Sequence, residues 1–435
     1  MKAIHVEYSP NINGVVQIPG SKNSSLALLA AACLSDETVT FQGIPNIADF
    51  RVICEMGEEV GLKIRRQLSG DVFIDPRMIS STDFDPKKSS SFRTAYYFIG
   101  ALLAKYGKVS VGYPGGDDFV SRPMDQHIKA LEMMGATFTY HKDYYEVETK
   151  GLHGSTIYFD TITSGATINA MLAAVRAKGK TVLLNAARDP EVIDTAIFLK
   201  TIGANISGAG TDTIRITGVD QLSGGTHRVI PDRLIAGSFL IAAGVAGGSV
   251  TVTDVIPEHL GSCIAKLEEI GVEIDVQDNS ITASSTGKLA ASRIRTGMYP
   301  GFATDLQQPM TTLFTQASGK SIVAEKIYPN RFQHVGQLRK MGADIRVRSG
   351  VAFVKGKSNL MGTIVSASDI RAGISLILAG MAAEGTTSIT GVEHIERGYE
   401  DVVKAFRSLG VRIRKEDINN RFDNQFYEIQ KRCVK

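Results

Sequence analysis

The chain has 435 residues, of which 43% are apolar and 21% charged, with a formal net charge of +3 at pH 7. That length exceeds what one hydrophobic core organises and calls for two domains, with three as the upper bound. So small a net charge gives no electrostatic reason to expect a nucleic-acid partner, although a few converging cations would suit a phosphate-bearing small molecule.

Four cysteines, Cys33, Cys54, Cys263 and Cys433, lie far apart, with no C-x-x-C pair and no His/Cys cluster. A metal site is therefore not expected, and reduced thiols of a cytoplasmic protein are. The opening residues MKAIHVEYSP lack the apolar core of a signal peptide. The longest apolar run, Leu234 to Gly248, is short and broken by glycines. It reads as a buried helix and not as a membrane span.

In chain order the first predicted element is a strand over Met1 to Ile18, which must find its partner elsewhere. A unit of about 70 residues then recurs six times. One phrase ends a helix at a glycine and starts a strand: EEVGLKI at Gly61, LEMMGATF at Gly135, LKTIGANI at Gly203, LEEIGVEI at Gly271, LRKMGADI at Gly342 and FRSLGVRI at Gly410. Glycine in the left-handed C′ position closes the helix, and alternating residues open the strand. Hairpin partners follow, as in YHKDYYEVET and GAGTDTIRIT. The second phrase is an Ala/Leu-rich helix, a small turn and a β-branched strand, as in SLALLAAACLSDETVTF and ISLILAGMAAEGTTSI. Helices so evenly apolar are buried on all sides.

Two phrases kept in phase six times predict an α/β protein of two domains, three repeats in each, with a crossing near Arg228-Val229-Ile230-Pro231. The expected boundaries are 22–230 for one domain, carrying a lid loop over 112–123, and 1–21 with 231–435 for the other. A solenoid is the competing architecture, but helices buried all round need strands packed about them.

Polar residues cluster where the buried helices begin: Ser21-Lys22-Asn23, Ser91-Phe92-Arg93, Thr163-Ser164-Gly165, Pro231-Asp232-Arg233, Thr304-Asp305 and Ser368-Asp369-Ile370-Arg371. Capping explains any one of them equally well. Lys22, Arg93, Arg233 and Arg371, however, are cations at or near helix starts, where they oppose the macrodipole. Four at equivalent points suggest a cleft for anionic substrates. Two loops add charge: Tyr113 to Pro123, read as a lid with Arg122 as an anion ligand or as a plain hairpin, and His394-Ile395-Glu396-Arg397-Gly398-Tyr399. Asp305 is a candidate general base among the cations, or simply a cap. No P-loop, dinucleotide fingerprint, Ser-His-Asp order or HExxH motif occurs.

The strings PGSKN, PGG…RPMDQHI, SGAT, GTDTIRITGV, VIPDRLIAGSFL, TDLQQP, PNRFQHV, SDIRAG and HIERGYE resemble the enolpyruvyl transferase family, over nearly the whole chain to about Lys415. The match is closest to the branch that acts on UDP-N-acetylglucosamine at the start of peptidoglycan precursor synthesis. The resemblance implies a two-domain inside-out α/β barrel with helices in the core. It implies transfer of enolpyruvate from phosphoenolpyruvate to a sugar 3-hydroxyl with release of phosphate, by addition and then elimination, and domain closure that excludes water. No metal or organic cofactor is implied. The partners are two small-molecule substrates, with no nucleic acid, no membrane, and a monomer or weak homo-oligomer.

By the same resemblance, Lys22, Arg122 and Arg397 hold the phosphoenolpyruvate phosphate. Arg331 and Arg371 lie near its carboxylate, and Asp305 is the base at the acceptor hydroxyl. Asn23, Arg93, Thr163, Gly165 and Asp369 fall on acceptor-binding or cleft positions. Pro123, Asp125, His127, Ser164 and Ile327 fall on further substrate-binding positions. The chain departs from the family at the lid, where Asp117 replaces the cysteine that fosfomycin alkylates. A carboxylic acid with a raised pKa does the same proton transfer, so an active, fosfomycin-insensitive enzyme is expected. Asn46 and Thr161 stand where the family has lysines, and Tyr97 stands where it has Trp. These changes keep two alternatives open: a different nucleotide acceptor in a secondary-metabolite pathway, and a non-catalytic nucleotide-sugar sensor.

Overall fold

The computed structural model describes residues 2–115 and 123–417. The predicted lid residues Asp117 and Arg122 lie outside them, as does Cys433.

All six repeat glycines take left-handed backbone angles, with φ of 106°, 94°, 108°, 104°, 102° and 83° at Gly61, Gly135, Gly203, Gly271, Gly342 and Gly410. A Cβ in that region clashes with its own backbone, so the recurring glycine marks the same helix end each time. The strand predicted over Met1 to Ile18 is two strands, Lys2–Glu7 and Ile12–Gln17. Pro10 has no N–H to give to a ladder, and Asn11 turns the chain with φ of 57°.

The described residues pack into two compact units. One comprises Ile18–Arg233 and Gly297–Gly301; the other comprises residues 2–17, 234–296 and 302–417. Each holds three sheets, one per repeat. In the first unit, Gly225–Arg228 runs parallel to Val39–Gln42, which continues antiparallel through Val72–Asp75 to Lys63–Arg66. Because Gly225–Arg228 ends the third repeat and Val39–Gln42 belongs to the first, this pairing closes a ring of three. The other two sheets are Lys108–Gly112, Tyr144–Glu148, Thr137–Tyr140 and Thr156–Tyr158, Lys180–Leu184, Thr213–Thr217, Asn205–Ser207.

The second unit repeats the plan. Ile12–Gln17 lies parallel to Gly248–Thr253, and Arg293–Arg295 lies parallel to Gly319–Ala324. In its third sheet Lys2–Glu7 inserts between Thr386–Thr390 and Ile413–Asp417. The chain start thus supplies the middle strand that a hairpin supplies in the other repeats.

The Ala/Leu-rich helices fill the middle of each unit: Lys22–Ala32, Tyr97–Tyr106 and Ser164–Ala174 in one, Leu234 onward, Thr304–Gln316 and Ile370–Ala382 in the other. Leu28, Phe98, Met171, Leu240, Leu313 and Leu376 have no more than a trace of exposed surface. Helices inside and sheets outside make each unit an inside-out α/β barrel. Burial of one such leucine contributes roughly 1.5–3 kcal/mol, and the apolar sheet faces have no other surface to cover them. No helix among the described residues is long and apolar enough to cross a membrane. The described cysteines Cys33, Cys54 and Cys263 are unbridged, and burial pushes each thiol up to about 12.

Candidate active site

In the first unit the helix Lys22–Ala32 starts from the cap Ser21, whose hydroxyl accepts from the Ser24 amide at 3.3 Å. The Lys22 amide donates to Asp232 at 3.0 Å. Its ammonium lies 2.6 Å from Asp49, and the two side chains are only 13% and 5% exposed. Asn23, one residue on, is exposed. Sequence reasoning missed Asp49, for a lone acid in the first turn of the helix Ala48–Glu59 reads as a dipole partner.

Arg93 sits in a 3-10 turn, Arg93–Tyr96, ahead of the buried helix rather than in its first turn, and its guanidinium stacks 5.8 Å over the Tyr96 ring. Tyr96 packs edge-on against His127 at 4.6 Å. Thr163 precedes the helix Ser164–Ala174 without capping it through its side chain. Gly165 leaves room for both rings, since a Cβ there would meet the Tyr96 Oη at 2.6 Å and the His127 ring at 3.3 Å. Pro123 and Asp125 are exposed beside this cluster at the start of the helix Asp125–Met133, whereas His127 is buried. Burial, then the Arg93 charge, holds the His127 imidazole neutral, down to about 3, against the opposing pull of Asp125.

In the second unit Asp305 lies in the first turn of the helix Thr304–Gln316. Arg331 Nη1 donates to one carboxylate oxygen at 2.6 Å and Arg371 Nε to the other at 3.2 Å. Both guanidiniums are buried, at 4% and 5% exposure, while Asp305 keeps 26% of its side chain open. Burial opposes the Arg331 charge, but Asp305 and then Asp369 raise its pKa overall. Asp369 caps the helix Ile370–Ala382, accepting from the Arg371 amide at 2.8 Å and the Ala372 amide at 3.0 Å. Ile327 is half-buried on the loop that leads to Arg331. Arg397 follows the short helix Val392–Glu396 as its C-cap.

The helix-start cations are thus bound in a way the sequence did not indicate. Lys22, Arg233 and Arg371 each face a carboxylate. For Arg233 these are Glu191 at 3.4 Å and Asp189 at 3.6 Å, with Tyr299 under the guanidinium at 5.3 Å. The departures are also partly offset. Asn46 accepts from Arg51 at 3.0 Å, so a guanidinium lies beside the residue where the resemblance expected a lysine. Thr161 is exposed beside Asp160, which Lys129 holds at 2.7 Å. Tyr97 is buried, and burial first, then Tyr96, Glu191 and Asp189, raises its phenol well above the usual value. Among the described residues no His/Cys/Asp/Glu group could hold a metal ion.

Two buried histidines give a pH prediction. His334 has neither ring nitrogen hydrogen-bonded among the described residues. Burial lowers its pKa to about 3, with Asp369 raising and Arg331 lowering it. For both His127 and His334 the folded value lies below the unfolded value of 6.5. The unfolded chain therefore binds the extra protons, and stability falls as pH drops from about 6.5 towards 3. The expected loss between pH 7 and 5 is about 2 kcal/mol per histidine. Urea titrations at the two pH values check it. His334→Leu should remove its share of the slope, and an unchanged slope would refute the neutral assignment.

The chain also resembles known proteins along nearly its full length. Residues 6–416 match the family model described as EPSP synthase (3-phosphoshikimate 1-carboxyvinyltransferase). A Bacillus cereus protein, UDP-N-acetylglucosamine 1-carboxyvinyltransferase 2, is 44% identical over 96% of this chain and 97% of its own. UDP-N-acetylglucosamine 1-carboxyvinyltransferases of Streptococcus pneumoniae and Clostridium botulinum are 45% and 46% identical, over 95% and 92% of this chain and 99% and 96% of theirs. Among solved structures, the enolpyruvyl transferase NikO from Streptomyces tendae superposes with a TM-score of 0.87 at 23% identity, covering 95% of this chain and 98% of that one. An EPSP synthase from Acinetobacter baumannii gives 0.73 at 19%, covering 96% and 100%. At those identities the structural likeness speaks for the fold, and the family model and the curated relatives speak for descent. The family model over residues 6–416 and the curated relatives establish that the chain belongs to the EPSP synthase family of enolpyruvyl transferases.

Proposed function

We propose that this enzyme transfers the enolpyruvyl group of phosphoenolpyruvate to the 3-hydroxyl of UDP-N-acetylglucosamine and releases phosphate. The observation that carries the reading is the pair of buried guanidiniums on Asp305, set in a chain 44–46% identical to enzymes named for that transfer. Two buried arginines presenting parallel donors suit a carboxylate. An open carboxylate between them suits proton removal from a hydroxyl.

In this reading the 3-hydroxyl oxygen bonds to C2 of phosphoenolpyruvate as its proton passes to Asp305, and C3 gains a proton from Asp117. Loss of a proton from C3 then expels phosphate from C2 and restores the double bond. Lys22, Arg122 and Arg397 hold the phosphate throughout, and Arg331 and Arg371 hold the carboxylate. Asn23, Arg93, Pro123, Asp125, His127, Thr163, Ser164, Gly165, Ile327 and Asp369 shape the substrate sites. The reaction needs charge placement and proton transfer, and we place it in the cytoplasm, carried out by a monomer or weak homo-oligomer.

A second reading, a different nucleotide acceptor, is favoured by Thr161 and Tyr97, which bring no cation or indole. Arg51 beside Asn46 argues against it, because a cation is close to that point. The test is phosphate release with phosphoenolpyruvate and a panel of acceptors. Release with UDP-N-acetylglucosamine, unaffected by prior incubation with fosfomycin, is the expected result. Release only with another nucleotide would transfer the assignment to the second reading. Tight nucleotide-sugar binding with no release from any acceptor would make the protein a sensor.

A further inference from the structure

Glu325 is a buried carboxylate outside the set of substrate ligands. It follows the strand Gly319–Ala324, is 1% exposed, and accepts four hydrogen bonds. One oxygen takes the Thr296 hydroxyl at 2.7 Å and the Ile327 and Tyr328 amides at 2.8 and 2.9 Å. The other takes the Thr304 hydroxyl at 2.9 Å. Thr304 has only one proton to give. With that proton on Glu325, its lone pairs are turned outward, and one accepts from Arg331 Nη1 at 3.1 Å. The same Nη1 reaches Asp305 at 2.6 Å. A chain of donors and acceptors with only one consistent direction therefore runs from Glu325 through Thr304 to Arg331. The amide contacts close the turn that carries Ile327 and leads to Arg331.

We propose that Glu325 is a positioning residue for the carboxylate-binding guanidinium of Arg331, acting through the Thr304 hydroxyl. The proposal rests on the reading of Arg331 as a ligand of the phosphoenolpyruvate carboxylate. A neutral amide in place of the Glu325 carboxylate has the same shape but the opposite polarity at one end. In Glu325→Gln the new NH₂ group would donate to Thr304, so the threonine proton loses its carboxylate acceptor and nothing then fixes the hydroxyl's lone pair on Arg331.

The test is steady-state kinetics of Glu325→Gln, Thr304→Val and Thr304→Ser, with thermal melts alongside. Glu325→Gln and Thr304→Val should each raise KM for phosphoenolpyruvate about tenfold and leave KM for the acceptor within about twofold, since one hydrogen bond to a charged group is worth about a factor of ten. Thr304→Ser keeps the hydroxyl and should behave as wild type. The double variant should be no worse than either single one, because both break one chain. An unchanged KM for phosphoenolpyruvate, an equal rise in both KM values, or multiplying effects would overturn the proposal. If Glu325→Gln does not fold, the two Thr304 variants decide by themselves. If the wild type turns over no acceptor, the proposed function fails, and calorimetry with phosphoenolpyruvate alone still decides. Weaker binding to Thr304→Val than to wild type supports the positioning role. Equal binding, or none to the wild type, refutes it.

Discussion

Asp305→Asn should lose turnover by about a thousandfold, within the range by which a general base contributes, without weakening phosphoenolpyruvate binding. In the structure Asp305 occupies both buried guanidiniums, at 2.6 and 3.2 Å. A substrate carboxylate arriving at Arg331 and Arg371 competes with it for the same donors. As the arginines turn to the substrate, Asp305 is released from two charge-assisted hydrogen bonds, and its affinity for a proton rises when a proton has to be taken. Removing its charge takes away the base and the competitor together. Rate and affinity therefore part company: kcat collapses, while phosphoenolpyruvate binds as tightly or more tightly. Asp305→Ala should show the same split with lower stability, because two cations with little exposed surface then lose the carboxylate that both reach. Rapid-quench rates and calorimetry measure the two quantities separately. Activity within tenfold of wild type, or a clear loss of phosphoenolpyruvate affinity in Asp305→Asn, would remove Asp305 from the proposed role.

The repeat was legible because it is local. A glycine after a helix and an alternating run after the glycine carry their geometry in a few residues, and all six glycines adopt the left-handed angle. Which residues lie at helix starts was legible for the same reason. What each side chain binds there was not, since the partners come from distant chain segments. Asp49, 27 positions from Lys22, and Asp305, 66 positions from Arg371, meet their cations through the packing of one helix on another, which neither helix's own sequence displays. Glu325 was invisible for another reason. A single acid ending the strand-like run SIVAE looks like a solvent-facing residue, and only the fold turns it inward onto Thr304. Arg93 does lie near a helix start, as read, but the 3-10 turn Arg93–Tyr96 that holds it was not legible, because the extended backbone at Phe92 is not a pattern of hydropathy. The strand over Met1 to Ile18 was read as one because its apolar alternation continues across Pro10-Asn11, and the break is a backbone property, not a pattern of hydropathy.

Lys22→Ala should cost the first unit about 3–5 kcal/mol of stability and reduce turnover about a hundredfold or more, as loss of one preorganised charge does. The two effects have different causes and can be separated. The stability loss arises because Asp49, 5% exposed, keeps its charge without the ammonium that stood 2.6 Å away. Adding Asp49→Asn to Lys22→Ala removes that buried charge as well and should restore much of the stability. It supplies no cation for the substrate phosphate, so turnover should stay as low as in the single variant. Asp49→Asn alone keeps the ammonium but frees it from the carboxylate that fixes its direction, and should lower turnover less than Lys22→Ala does. Denaturant titration and phosphate release on the four proteins complete the cycle. Recovery of turnover together with stability in the double variant would mean that Lys22 only neutralises Asp49. Recovery of stability alone would identify Lys22 as a charge the reaction uses, held in place by an aspartate that the substrate need not touch.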